Sequence, residues 1–159
     1  MCSSDLRVRG ADRVAFLQRM VTQDLKSLAA GGASESFWLN RKGRVQADLL
    51  VAEFGGEMLV DVDRFAAAAA ASELQAFVFG EDVQVEDETA ARGRLCLHGA
   101  ATLALLGSLD ARVDALSADL RCVALQLAGH AVHAVRRDQA GAPGDRKSTR
   151  LNSSHLVIS

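Results

Sequence analysis

The chain is poor in cysteine, has no long apolar run and no block of one charge, and carries no aromatic residue beyond Phe79. Each scarcity removes a class of function. The three cysteines, Cys2, Cys96 and Cys122, form no Cys-x-x-Cys. Neither a disulfide framework nor a paired-thiol zinc site is expected, and a reducing compartment suits the chain. No stretch reaches the roughly 18 uninterrupted apolar residues of a membrane span. The opening MCSSDLRVRG reads as no signal peptide, because it has no apolar h-region. A formal net charge of −2, without a Lys/Arg block, gives nucleic acid no electrostatic handle. No Gly-x-Gly-x-x-Gly follows a strand-like run, and there is no Walker loop and no Gly-x-Ser-x-Gly. Mononucleotide phosphates lack a cradle and a serine nucleophile lacks its elbow. What is present is 49% apolar residues in 159, enough for one domain with a modest core, expected in the cytoplasm.

Periodicity places the elements. Residues 6–9 alternate apolar and basic and stop at Gly10, which predicts a short strand. Asp12 is placed to cap a helix whose Val14, Leu17, Met20 and Val21 share a face, with Phe16 beside them. Residues 36–41 read as a strand with Phe37 and Leu39 on one side, followed by a turn at Lys42 and Gly43. A second strand, 44–54, puts Val45, Ala47, Leu49 and Val51 on one face. Gly55 and Gly56 form a hairpin signal, and 57–63 return with Met58, Val60 and Val62 alternating. Residues 64–79 read as a helix packing through Phe65, Leu74, Phe77 and Val78, and its six consecutive alanines favour helix while burying little area. A strand at 82–86 closes this half.

The second half predicts a strand at 94–98, a helix at 100–109, and a hairpin of 121–127 and 132–137 across 128–131. It has no large anchors, so it is expected to depend on packing supplied from outside itself. The element order predicts an α+β fold, antiparallel sheets with packed helices, rather than a doubly wound parallel sheet.

Few polar residues suggest chemistry. Asp48 interrupts an apolar strand and shares a face with Gln46 and Leu50, so it is either a solvent-facing residue or one placed to meet a ligand. Asn40, Lys42 and Gly43 read first as turn chemistry. His130 and His133 form a His-x-x-His at a hairpin tip, with His98 elsewhere, but no third and fourth ligand stands at zinc spacing. No metal site is expected.

Several runs together resemble a known family. LRVRGADRVAFLQRMVTQDLKSL, FWLNRKGRVQADLLV, EMLVDVD and FVFGEDVQVEDET follow the order of the folate-binding domain of the glycine-cleavage aminomethyltransferase superfamily. The shared positions are Gly10 to Asp12, Phe16 and Leu17, Thr22 to Asp24, Leu39 and Asn40, Gly43, Asp48 and Leu49, and Asp82 and Val83. Further on, RLCLHGAATLALLGSL and VRRDQAGAPG resemble the strand–Gly–helix and the Arg-and-Gly segments of the family. The resemblance implies a tetrahydrofolate site over the meander near Asn40, Lys42, Asp48 and Arg136. Within it, Asp48 would serve the pterin side, and Lys42 or Arg136 the anionic glutamate tail. Arg136 could instead make a structural ion pair, or equally be a solvated strand residue.

Two branches of the superfamily differ in function. Its aminomethyltransferases carry an Asp-Asp pair before the Leu and a Thr-Gly-Glu near the Arg. This chain resembles them with Ala47 and Asp48 for the pair, and Ala140, Gly141 and Ala142 for the triplet. The departures favour resemblance to the YgfZ-type folate-binding proteins, linked to iron–sulfur cluster assembly and repair and to tRNA modification, with iron–sulfur proteins as partners. The alternative is a divergent aminomethyltransferase. The hallmark of the YgfZ type, Lys-Gly-Cys-x-x-Gly-Gln-Glu, does not occur in the chain.

The ends differ in composition. The last fifteen residues, DRKSTRLNSSHLVIS, contain none of the chain's 28 alanines. Their first eleven resemble one reading frame of a common short-read sequencing adapter, and CSSDL near the start resembles the same adapter read from the opposite strand. The expectation is therefore adapter-derived sequence at 1–6, a partial domain of a longer protein at 7–144, and a loose adapter-like tail at 145–159.

Overall fold

A computed structural model describes residues 3–40, 42–98, 101–137 and 155–158, and the chain divides into two compact units, Met1–Gly93 and Arg94–Ser159. The first unit is built from β1 (Ser3–Arg9), α1 (Arg13–Met20), β2 (Ala33–Leu39), β3 (Val45–Glu53), β4 (Glu57–Asp63), α2 (Arg64–Ala76) and β5 (Gln84–Asp87). Its five strands form an antiparallel sheet in the order β2-β3-β4-β1-β5. The predicted meander, β2-β3-β4, forms one side of it, and the α+β class is as expected.

Strand alternation makes the core. Leu49 and Val51 of β3 lie opposite Val62 and Val60 of β4, and Leu6 of β1 lies opposite Val60. They form one cluster with Met58, with Phe16 and Leu17 of α1, and with Ala67, Ala70 and Leu74 of α2. Both helices therefore contribute to the apolar cluster of the same sheet face. Val45, expected on that face, is 55% exposed, because the register shifts between Trp38 and Leu39 just where Val45 pairs. The first strand starts at Ser3, and its fully buried Leu6 and Val8 show why it holds.

Two helix expectations need correction. Phe65 is 96% exposed rather than packed. Ala67, Ala70 and Leu74 define the buried stripe. Phe65, two residues and about 200° before Ala67, points away from it. The helix is instead started by Asp63, whose Oδ1 accepts the Phe65 N–H at 2.8 Å. Asp12 does not cap α1 with its side chain. Its carboxylate accepts the Asp82 N–H at 3.0 Å, the Asp82 carboxylate accepts the Ala11 N–H at 2.9 Å, and the Asp12 N–H donates to the Asp82 carbonyl. The turn before α1 is thus tied to the one before β5. Gly10 permits this approach: at φ +107°, a Cβ there would lie 1.9 Å from the Asp82 carbonyl oxygen.

The second unit contains β6 (Leu95–His98), α3 (Thr102–Gly107), a 3₁₀ helix (Ala111–Leu116), β7 (Cys122–Leu127), β8 (His130–Arg137) and β9 (His155–Ile158). Its antiparallel sheet has the order β6-β9-β8-β7. This half, expected to depend on packing from outside itself, also has a small cluster of its own. Leu106, Val113, Leu116, Leu125 and Ala134 form a separate cluster, flanked by Leu97, Leu103, Val123, Leu127 and Val132. Small aliphatic residues on strands and helices close it without an aromatic anchor. The β7–β8 hairpin is also tighter than expected. Leu127 pairs with His130 across a two-residue turn, Ala128 at φ +49° and Gly129 at φ +83°. The strand β9 lies within the segment expected to be a loose tail, whereas 138–154 and Ser159 lie outside the described residues.

Candidate functional site

The β2–β3 turn is organised by Asn40. Its Oδ1 accepts the backbone N–H groups of Lys42 at 2.9 Å and Arg44 at 3.1 Å. Its backbone N–H donates to the Arg44 carbonyl, and its carbonyl accepts the Gly43 N–H. An asparagine side chain standing in for backbone, followed by Gly43 at φ +73°, is the local reason the chain reverses here. The same turn presents two cations, Lys42 and Arg44, both exposed.

Beside this turn is a cleft of about 550 Å³, lined by Asn40, Lys42 and Arg44 from the turn and by Glu73, Ala76 and Phe77 from the end of α2. Glu73 and Phe77 are four residues apart, which puts them on one side of the helix end. Phe77 also packs against the first core, so its ring is held. The cleft combines an amide, two positive groups, one carboxylate and an apolar wall. That set can hold an anion attached to a planar ring.

The expected site residues separate. Asn40 and Lys42 come together in the cleft. Asp48 is exposed on β3 and is not among the cleft-lining residues. It stands directly across from Phe37 of β2, which is 46% exposed, on the face opposite the helix-covered core. Directly opposed side chains in an antiparallel pair have Cβ atoms about 5 Å apart, so a carboxylate and an open aromatic ring stand side by side. Leu50, on the same face by alternation, is buried.

Arg136 belongs to the second unit, on β8. Its Nη1 donates to the carbonyls of Leu116 at 3.1 Å and Ser117 at 2.8 Å. It thus satisfies carbonyls at the end of the 3₁₀ helix, a use of arginine that spacing did not suggest. Arg44, Glu73, Ala76 and Phe77 were not expected in a site. Phe77 was legible only as a packing residue, and the helix end reaches the turn through tertiary structure alone.

Several other polar groups have structural partners. Thr22 Oγ1 accepts the Phe37 N–H, and Ser36 Oγ accepts the Gln23 N–H, which holds the Thr22–Asp24 segment to β2. Glu81 is held below the usual carboxylate range by the N–H groups of Phe79 and of Glu81 itself, assisted by Arg19. Asp110 is likewise held below that range, chiefly by Arg112 and then by the N–H groups of Gln126 and Arg112. His130 and His133 sit three apart on one strand, an odd separation that turns them to opposite faces. Among the described residues, no three His, Cys, Asp or Glu side chains gather as a metal site. Among those residues no helix is long and apolar enough to cross a membrane.

Comparison with known proteins is consistent with this architecture. The chain is similar to a curated aminomethyltransferase of Bacillus cytotoxicus, 42% identical over 53 residues, covering 33% of this chain and 14% of that protein. A Bacillus mycoides aminomethyltransferase is 40% identical over the same length and shares. The crystal structure of the glycine cleavage system aminomethyltransferase T from Bartonella henselae superposes with a TM-score of 0.75 at 19% identity, over 98% of this chain and 39% of that one. The chain thus spans well under half of the proteins it matches. The sequence model described as the GCVT N-terminal domain matches residues 2–141, and on that match the chain belongs to the GCVT N-terminal domain family.

Proposed function

We propose that this chain binds tetrahydrofolate as a cytoplasmic protein of the YgfZ type, supporting iron–sulfur cluster assembly and repair and tRNA modification. The carrying observation is the Phe37–Asp48 pair, an exposed carboxylate beside an open aromatic ring on a rigid sheet. A pterin presents adjacent N–H donors along one edge and a planar face, which suit a carboxylate and a neighbouring ring. Asn40 and Lys42 supply an amide and a cation for the rest of the ligand, with Lys42 facing the anionic tail. Arg136 fits less well, since its Nη1 is engaged by two carbonyls, and we assign it a structural role. The branch within the superfamily rests on Ala47 in place of the first aspartate, and on Ala142 in place of the glutamate.

A second reading, a divergent aminomethyltransferase, is favoured by the names of the curated relatives. The chain retains one carboxylate, Asp48, where that branch carries two, and general acid–base help is worth about 10²–10⁴ in rate. Reading the source locus past both ends tests the branch and the proposed adapter origin of 1–6 and 145–159 together. A Lys-Gly-Cys-x-x-Gly-Gln-Glu run downstream supports the YgfZ type, and native sequence matching both ends refutes the adapter origin.

The binding test is calorimetry with 5-formyltetrahydrofolate on the full-length protein read from the source locus, as wild type and as Asp48→Ala. Loss of a charged hydrogen-bond partner should cost about 1.5–3 kcal/mol, roughly ten- to a hundredfold in affinity. Undiminished binding by Asp48→Ala removes that residue from the site. No binding by the wild type overturns the folate reading.

A further inference from the structure

The last residues of the first unit, 88–93, make one turn that folds back on β1. The Glu88 N–H donates to the Asp5 carbonyl at 3.0 Å, which carries the β1–β5 pairing one residue past β5. The Glu88 carbonyl accepts the N–H groups of Ala91 at 2.9 Å and Arg92 at 3.0 Å. One oxygen of the Glu88 carboxylate pairs with Arg92, and the other lies 2.8 Å from Nη1 of Arg7 on β1. We propose that residues 88–92 are a strap, ion-paired to β1 through Arg7. It ends the rigid part of the first unit at Arg92 and leaves Gly93 as the joint before the second.

Three observations carry it. The side chains of Arg7, Glu88 and Arg92 are 16%, 16% and 12% exposed, so water and salt screen these pairs far less than they screen an open surface. The cluster is also balanced. Arg7 Nε lies 3.2 Å from the Glu57 carboxylate on β4, so two guanidinium groups meet two carboxylates and neither charge is buried alone. Last, the division between the units falls just after Gly93, which is exposed and where even a Cβ would meet nothing within 4 Å. A single turn opens readily unless something outside it holds it closed. Arg7 supplies that hold from far away in the sequence. Without it, the joint would grow from Gly93 alone to the whole of 88–93.

Hydrogen exchange on the whole chain, read at the Ala91 and Arg92 N–H groups, tests the strap. Arg7→Met and Glu88→Gln each remove the tie to β1. Each should speed exchange at both groups by about tenfold, between the effects of losing an exposed pair and a buried one. Arg92→Gln leaves the Arg7–Glu88 pair in place and should speed it by less than about threefold, since an i,i+4 pair is a small term. The amides of β4 should exchange alike in all variants. Faster exchange confined to the strap, in the order given, supports the proposal. Unchanged exchange in Glu88→Gln overturns it. An Arg92→Gln effect as large as that of Glu88→Gln overturns it too, because the turn would then be held by its own pair. A rise shared by the β4 amides overturns it as well, since the ion pairs would then serve the unit as a whole. If Arg7→Met fails to fold, the comparison of Glu88→Gln with Arg92→Gln decides alone.

Discussion

Replacing Glu53 by alanine should be among the most damaging single changes in the first unit. Glu53 ends β3, and its side chain is 4% exposed. Its Oε1 accepts from Arg13 Nη2 at 3.0 Å and from the Gly55 N–H at 2.6 Å, which joins α1 to the tight turn between β3 and β4. The Arg13 side chain is only 17% exposed, and its Nη1 donates to the Gly10 carbonyl at 3.2 Å. Removing the carboxylate strands a mostly buried cation and a turn N–H. Breaking a buried pair from one side costs about 3–5 kcal/mol. The carbonyl that Arg13 retains, and its partial exposure, place the expectation near the lower end, about 3 kcal/mol. Against a domain stability of about 5–15 kcal/mol that is a large fraction. Glu53→Gln keeps an acceptor for Gly55 and should lose about 1.5 kcal/mol.

The assay is urea unfolding followed by the fluorescence of Trp38, the single tryptophan, which is 4% exposed and belongs to the same core. Adding Arg13→Ala to Glu53→Ala removes the stranded cation, so the double variant should be more stable than additivity predicts by at least about 1 kcal/mol. A loss below about 1 kcal/mol in Glu53→Ala, or strict additivity in the cycle, would refute the argument.

Two further outcomes follow from the geometry. Asp110 has a lowered pKa, so its contribution to stability is present above the ordinary carboxylate value, near pH 4, and disappears only as the pH falls through its lower folded value. Hydrogen exchange at the Gln126 N–H, which donates to Asp110, should stay protected down to about pH 4 in the wild type and be faster at neutral pH in Asp110→Asn; equal protection in both refutes it. Gly10→Ala should lower stability by more than about 1 kcal/mol, because it combines an unfavourable positive φ with a Cβ driven into the Asp82 carbonyl. Thermal unfolding indistinguishable from wild type would show that the two turns can part at no cost.

Much of the first unit was legible because its signals are local and agree with one another. Met58, Val60 and Val62 alternate, glycines stand at the turns, and β4 occupies the span that alternation predicts. The α2 helix was legible in type but not in orientation. An alanine run offers no contrast between faces, so Phe65 drew the packing expectation, while small residues form the buried stripe. The core of the second unit is less legible for a related reason. It is a sum of small aliphatic contacts, and the unit's 3₁₀ helix carries no sustained period.

The site divides along the same line. Asn40 and Gly43 specify their turn through neighbours within four residues, so sequence spacing finds them. The period of two puts Asp48 outside the core face, but only the strand register sets Phe37 across from it, and register is a long-range property. The cleft goes one step further. Arg44 is one residue past a recognised turn, and Glu73 and Phe77 are on a recognised helix, yet nothing in either segment says that the helix ends beside the turn. That adjacency comes from the packing of α2 over the sheet.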